Sequence, residues 1–89
     1  MLDFRKEGME FPTPFALKII GRDEDGFTEF AVAIVREYAP DLNEHGITTR
    51  LSSGSNYISV TVPFTAESRE QLDAIYRELT GSERVLMVI

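Results

Sequence analysis

The sequence contains no cysteine and no tryptophan among its 89 residues. Without cysteine there is no disulfide, no thiolate nucleophile and no cysteine-based metal site. A domain of this size that folds without disulfides suits a reducing compartment. We therefore expect a cytoplasmic protein.

The chain also lacks a long hydrophobic run and an excess of positive charge. Its apolar runs fall far short of the roughly 20 residues that a membrane-spanning helix needs, and its first residues do not resemble a signal peptide. Fifteen acidic residues against nine Lys and Arg give a net charge of -6, which opposes binding to a polyanion. We expect no membrane segment, and no nucleic-acid partner unless the basic side chains are gathered on one face.

Length and composition indicate one ordinary globular domain. With 89 residues, 43% of them hydrophobic and 27% charged, the chain has room for a single modest core. Residues 1–11 mix charges with isolated apolar side chains and are expected to form an N-terminal arm, either docked on the body or frayed. Residues 12–89 are expected to form the domain.

Two segments have the apolar period of a helix. Pro40 should end the first, and Asp25 is its expected N-cap. Thr65 or Ser68 is expected to cap the second, the latter through a capping box with Gln71, and Gly81 is expected to close it in a left-handed conformation. The stripes comprise Phe27, Phe30, Ala31, Ile34, Val35 and Tyr38 in the first helix, and Leu72, Ile75, Tyr76 and Leu79 in the second.

The segment from Ile47 to Phe64 is the only long one with a period of two, which predicts a hairpin around a Ser/Gly/Asn turn. Apolar and polar residues alternate clearly after the turn, so this strand should have one covered and one open face. Pro63 lacks an amide donor and predicts loosened pairing or a bulge. Apolar segments at 15–20 and 85–89 predict the first and last strands.

This order of elements predicts an α+β, ferredoxin-like βαββαβ sandwich, in which two helices cover one face of a four-stranded antiparallel sheet. The first and third strands should be central, because they are the most apolar. The last strand would then be an edge that exposes Val85, Met87 and Ile89. We expect this edge to pair with a second copy in a homodimer, or to be covered by the N-terminal arm.

The uncovered face of this sheet is the best candidate for binding. Lys18, Arg50, Tyr57 and Ser59, with Ser53 in the turn, would form a patch for a small anionic ligand or a partner protein, against the alternative of a simply solvated face. RNA-recognition domains share this order of elements, but they present two or three stacking rings and a basic surface. An acylphosphatase-like enzyme would need a glycine-framed arginine loop, which is missing.

The sequence gives little support for a metal, cofactor or catalytic site. The acidic run from Asp23 to Asp25 lacks the spacing of a calcium loop and is better explained by helix capping. His45 has no recognisable nucleophile partner. We therefore expect no metal, no cofactor and no catalysis.

Three segments taken together resemble a known family. They are Phe11-Pro12-x-x-Phe15-x-x-Lys18-x-x-Gly21, Ser52-Ser53-Gly54-x-x-Tyr57-x-Ser59-Val60-Thr61-Val62, and Gln71-Leu72-Asp73-x-Ile75-Tyr76-x-x-Leu79 with Val85-x-Met87-Val88. In this order and spacing, over about residues 8–89, they resemble the YbeD-like family of small bacterial proteins. The resemblance implies a ferredoxin-like fold similar to ACT-type regulatory domains, which bind small ligands or sit between subunits. It implies no catalytic residues.

Overall fold

A computed structural model describes residues 9–54 and 56–89. The elements are β1 Thr13–Arg22, α1 Phe27–Tyr38, a 3₁₀ helix Glu44–Gly46, β2 Thr48–Leu51, β3 Tyr57–Ala66, α2 Arg69–Thr80 and β4 Val85–Val88. The sheet has the strand order β2-β3-β1-β4, with antiparallel neighbours throughout. The predicted ferredoxin-like fold is confirmed, including the two central and two edge strands.

The central pair, β1 and β3, is longer than the apolar pattern indicates. Its register runs without a break from Thr13 opposite Ala66 to Arg22 opposite Tyr57. The bulge predicted at Pro63 is therefore wrong. The Pro63 carbonyl accepts a hydrogen bond from the Asn43 amide at 3.2 Å, so the proline nitrogen on the same side of the strand faces away from β1. The missing amide donor therefore interrupts no bond between the central strands.

The irregularity lies in β4 instead. Ile20 is opposite Met87, but the next residue, Gly21, is opposite Val85, so Leu86 is an extra residue in β4. Gly21 allows a close approach there, because a Cβ atom at this position would lie 2.3 Å from the Phe27 ring and 2.6 Å from the Arg84 carbonyl oxygen. The packing of this corner thus depends on a residue without a side chain.

The core lies between the sheet and the two helices. Alternate residues of the central strands, such as Leu17, Ile19, Val60 and Val62, point into it and are almost completely buried. Both helices contribute the predicted apolar stripes. Their buried side chains are Phe27, Ala31, Val32, Ile34 and Val35 in α1 and Leu72, Ile75 and Leu79 in α2.

At the start of α2, Ser68 is the N-cap, as one of the two alternatives predicted, but the return bond of the predicted capping box goes to Glu67 and not to Ser68. The Ser68 hydroxyl oxygen accepts a hydrogen bond from the Gln71 amide at 3.1 Å. The Gln71 side chain then bonds in two directions: its oxygen accepts from the Glu67 amide at 2.7 Å, and its nitrogen donates to the Tyr38 carbonyl at 2.9 Å. One capping side chain therefore also ties the start of α2 to the end of α1.

Two predicted caps are wrong. The N-cap of α1 is Gly26, with φ of 77°, and no side chain caps this end, so Asp25 lies one residue too early. Gly81 has φ of -77° and stays right-handed, because its amide continues the hydrogen bonding of α2 to the Arg77 carbonyl.

Most of the predicted N-terminal arm, residues 1–8, lies outside the described residues. The described part includes Met9 and Phe11, which are half-buried and pack against the core.

Candidate functional site

The face of the sheet turned away from the helices, here called the open face, is built from cross-strand rows of side chains. Residues directly opposite each other on neighbouring strands share a face. One row runs Arg50, Ser59, Ile20 and Met87. The next runs Thr48, Thr61, Lys18 and Ile89, and a third pairs Tyr57 with Arg22.

The charges on this face have one sign. Lys18, Arg22 and Arg50 are exposed there, and the four strands of the described chain contain no Asp or Glu. The acidic residues that give the chain its net charge of -6 lie in helices, loops and the first ten residues. Within the described residues, none of the three basic side chains forms an ion pair. The open face is thus a basic surface on an acidic protein.

Three of the predicted patch residues meet in one shallow groove. Arg50, Tyr57 and Ser59 lie around it, and the Tyr57 side chain is 44% exposed. Lys18 lies on the same face, one row further along β1. The groove has a volume of about 200 Å³ and is lined by Ile20, Arg50, Leu51, Ser52, Tyr57, Ile58 and Ser59.

Ser53, the fifth predicted patch residue, is exposed in the turn and does not line this groove. The neighbouring Ser52 has a structural role: its hydroxyl oxygen accepts from the Tyr57 amide at 3.2 Å, and its own amide donates to the Tyr57 carbonyl at 2.9 Å. The Asn56 carbonyl accepts from the Asp23 amide at 2.9 Å, which ties the turn to the loop after β1. The turn therefore holds Tyr57 in place at the rim of the groove.

Sequence reasoning missed Arg22 and Leu86. The apolar pattern ends the predicted first strand at residue 20, yet Lys18, Ile20 and Arg22 follow the two-residue period of β1. This period is a signal that could have identified Arg22 as part of the strand. Leu86 is exposed only because of the bulge, for which the sequence of β4 gives no signal.

The β4 edge exposes three large apolar side chains, here called the β4 strip. Leu86, Met87 and Ile89 are 49%, 52% and 42% exposed. Val85, predicted to join Met87 and Ile89, is instead half-buried opposite Gly21, because the extra residue reverses the alternation. Leu86 and Met87 also line a groove of about 370 Å³ with Tyr76 and Thr80 of α2.

The end of the sheet near the acidic loop is held by Arg84. Its guanidinium lies 4.8 Å from the centre of the Phe30 ring and donates to the Asp25 carbonyl at 3.0 Å. Among the described residues, no group of three His, Cys, Asp or Glu side chains is placed to hold a metal ion. Neither helix of the described chain has the length and hydropathy of a membrane-spanning segment.

On the helix layer, the Tyr38 hydroxyl donates to a Glu78 carboxylate oxygen at 2.6 Å. This hydrogen bond is the main cause that raises the pKa of Tyr38 above its ordinary value, with smaller contributions from desolvation and from the Glu78 charge. The pair joins the two helices at their exposed side and lies away from the open face.

Comparison with known sequences identifies relatives over nearly the whole chain. The family described as "Protein of unknown function (DUF493)" matches residues 6–89. A UPF0250 protein of Chromobacterium violaceum is 46% identical over 89 residues, with 100% of both chains covered. A UPF0250 protein of Neisseria gonorrhoeae is 46% identical over 81 residues, which are 91% of this chain and 89% of the relative.

Solved structures with the same fold are more distant in sequence. The ACT domain from GTP pyrophosphokinase of Chlorobium tepidum superposes with a TM-score of 0.66 at 16% identity, covering 86% of this chain and 83% of that domain. Protein HP0495 from H. pylori gives a TM-score of 0.68 at 14% identity, covering 98% and 91%. At these identities the likeness shows the fold alone.

Proposed function

Because this chain belongs to the DUF493 (UPF0250) family and has an ACT-like fold, we propose that it is a non-catalytic regulatory or adaptor domain acting in the cytoplasm as a homodimer. The family membership confirms the YbeD-like resemblance found in the three sequence segments. The proposal of a homodimer rests on one observation, the β4 strip.

The backbone of β4 supports pairing with another strand. Lys18 and Ile89 exchange two hydrogen bonds, at 3.0 and 2.8 Å, so both backbone groups of Ile89 face β1. Val88, one residue earlier, therefore turns its N–H and C=O outward. An edge with outward backbone groups and exposed apolar side chains favours association with another chain. Antiparallel pairing of two β4 strands about a two-fold axis would extend the sheet to eight strands.

The partner that fits this edge best is a second copy. Val85–Val88 carries no charged side chain, so two copies meet there without like charges in contact, although each chain carries a net charge of -6. The groove beside Tyr76 and Thr80 is apolar at its β4 side and adjoins Leu86. In a two-fold arrangement, each protomer offers its groove to the exposed Leu86 of the other.

The contact is short, because β4 has four residues. We expect it to bury less than the ~800 Å² per partner of a standard interface, and therefore to dissociate on dilution. Repulsion between two acidic chains opposes the association and is screened by salt. Added salt should therefore strengthen the dimer.

The test is the mass in solution, measured by sedimentation over a range of protein concentrations and at two salt concentrations. Met87→Lys should give a monomer throughout, because it places a charge in the contact. Leu51→Lys is the matched control: Leu51 is 50% exposed on the other edge strand, and the same substitution there should leave the dimer intact. A wild-type chain that stays monomeric at the highest concentration would contradict the homodimer and direct attention to a partner protein.

A further inference from the structure

Four basic residues of the described chain fall into two groups according to what they contact. Arg36 forms an ion pair with Glu44, and Arg84 stacks on Phe30 and bonds the Asp25 carbonyl. Both are engaged by neighbouring protein groups. Lys18 and Arg50 on the open face have no ion pair among the described residues, and no acidic side chain lies in the strands around them. No carboxylate of the described residues therefore neutralises the charges of Lys18 and Arg50.

We propose that the open face binds a small polyvalent anion, with at least two phosphate or carboxylate groups, between Lys18 and Arg50. This site goes beyond the proposed dimer and does not depend on it. Arg50 supplies the planar fork of donors that matches a carboxylate or phosphate, and Lys18 supplies a point charge. Ser59 lies between Arg50 and Ile20 in one row, and its hydroxyl donates to the Arg50 carbonyl at 3.5 Å.

The spacing of the two cations fits a small molecule. Arg50 and Lys18 are separated by one intervening strand and by one row along the strands. With strands about 4.8 Å apart and residues about 3.3 Å apart, their Cα atoms lie about 12 Å from each other. Side chains of this length converge easily over Ser59 and Thr61, which lie between them. One ligand can therefore contact both charges.

Acidic residues at the rim of the site reduce the contribution of Arg22. Arg22 adds a third positive charge beside Tyr57, but Asp23 and Glu24 follow it directly and line a groove with it. We therefore assign the main contacts to Lys18 and Arg50 and a weaker contribution to Arg22.

The open face fits a small anion better than a nucleic-acid strand. Among the described residues, Tyr57 is the only aromatic side chain in the cross-strand rows of the open face. Proteins that bind single-stranded nucleic acid stack successive bases on several aromatic rings. The floor beside Tyr57 includes Ile20 and is apolar, so it accommodates the carbon skeleton of a small anion. The polar contacts to the anion then come from the side chains at the edges of the groove.

The experiment is a titration of the ¹⁵N-labelled protein followed by two-dimensional NMR, at constant ionic strength, with tripolyphosphate in one series and citrate in the other. We expect saturable shifts of the amides of Lys18, Ile20, Arg50 and Ser59 with at least one probe. A response to tripolyphosphate alone assigns phosphate as the recognised group, and a response to citrate alone assigns carboxylate.

Arg50→Ala and Lys18→Ala should each weaken binding about tenfold, the loss expected for a charged hydrogen bond. Arg77→Ala is the matched control, because it removes the same charge from an exposed position on α2 and should change the affinity less than about twofold. The spectra themselves show whether each variant is folded. An equal loss in all three variants, or no saturation with either probe, would overturn the proposal. Saturation only with a single-stranded oligonucleotide would also overturn it, in favour of a nucleic-acid surface.

Discussion

The two faces of the sheet are made by the same strands but follow different rules. In β1, Leu17 and Ile19 point into the core and are almost completely buried, while Lys18 and Ile20 point to the open face. On the covered face the volume of each side chain matters, because it packs against helices. On the open face the sign of the charge distinguishes the surface from the rest of this acidic chain. Stability is therefore expected to respond mainly to substitutions on the covered face, and binding to substitutions on the open face.

The largest effect should come from truncating a side chain on the covered face, compared with the same truncation of its neighbour on the open face. Ile19→Ala removes a side chain that is 0% exposed and should lower the free energy of unfolding by about 2–5 kcal/mol, since a cavity remains. Ile20→Ala removes the same atoms one residue later, on the open face, and should cost clearly less. Urea denaturation of both variants measures the difference. Similar losses would mean that the open face is covered in solution.

A smaller loss is expected at the bulge. Gly21→Ala on the covered face brings a methyl group within 2.3 Å of the Phe27 ring and 2.6 Å of the Arg84 carbonyl, and such overpacking costs about 1–3 kcal/mol. Gly54→Ala in the exposed turn is the control. Among the described residues, a methyl group there meets only the side-chain amide nitrogen of Asn56, at 3.3 Å. Thermal unfolding should rank wild type and Gly54→Ala together, above Gly21→Ala. The reverse order would show that the corner relaxes without cost.

The smallest effect concerns pH and the outer side of the helix layer. Because the hydrogen bond to Glu78 raises the pKa of Tyr38 in the folded protein, the folded state holds this proton more tightly than the unfolded state. The contribution to stability is present below the ordinary tyrosine pKa of 10.0 and is lost as the pH rises through the folded value. Ultraviolet titration should show a tyrosine whose pKa lies above the ordinary value of 10.0, and Glu78→Gln should lower that pKa. An unchanged titration would contradict the pairing.

The sequence predicted most of the local structure, because local structure depends on residues close in the chain. The period of 3.6 defined both helices, and the alternation of Ile58, Val60 and Val62 defined the covered face of β3. The Ser68 cap was predictable for the same reason, since its partner Gln71 is three residues away. The order of elements then left the ferredoxin-like fold as the arrangement that buries both helical stripes.

The site was predicted only in part. Lys18, Arg50, Tyr57 and Ser59 were correctly placed on one face, because alternation assigns each strand residue to a side. Arg22 lies beyond the predicted end of the first strand at residue 20, because the length of a strand depends on how far its neighbour continues. Here β3 supplies a partner as far as Tyr57, and β1 extends to match it.

By itself the sequence determined the helices, the alternating strands and the acidic balance of the chain, since each follows from spacing and composition. Only the tertiary structure decided how near Arg50 and Lys18 lie to each other on that face, because the register between strands far apart in the chain sets their separation. It also decided which side chains the β4 edge exposes. The extra residue Leu86 lies at the step between Ile20 and Gly21, where Gly21 leaves room for the Phe27 ring and the Arg84 carbonyl. Such close packing between distant segments cannot be predicted from the local sequence pattern.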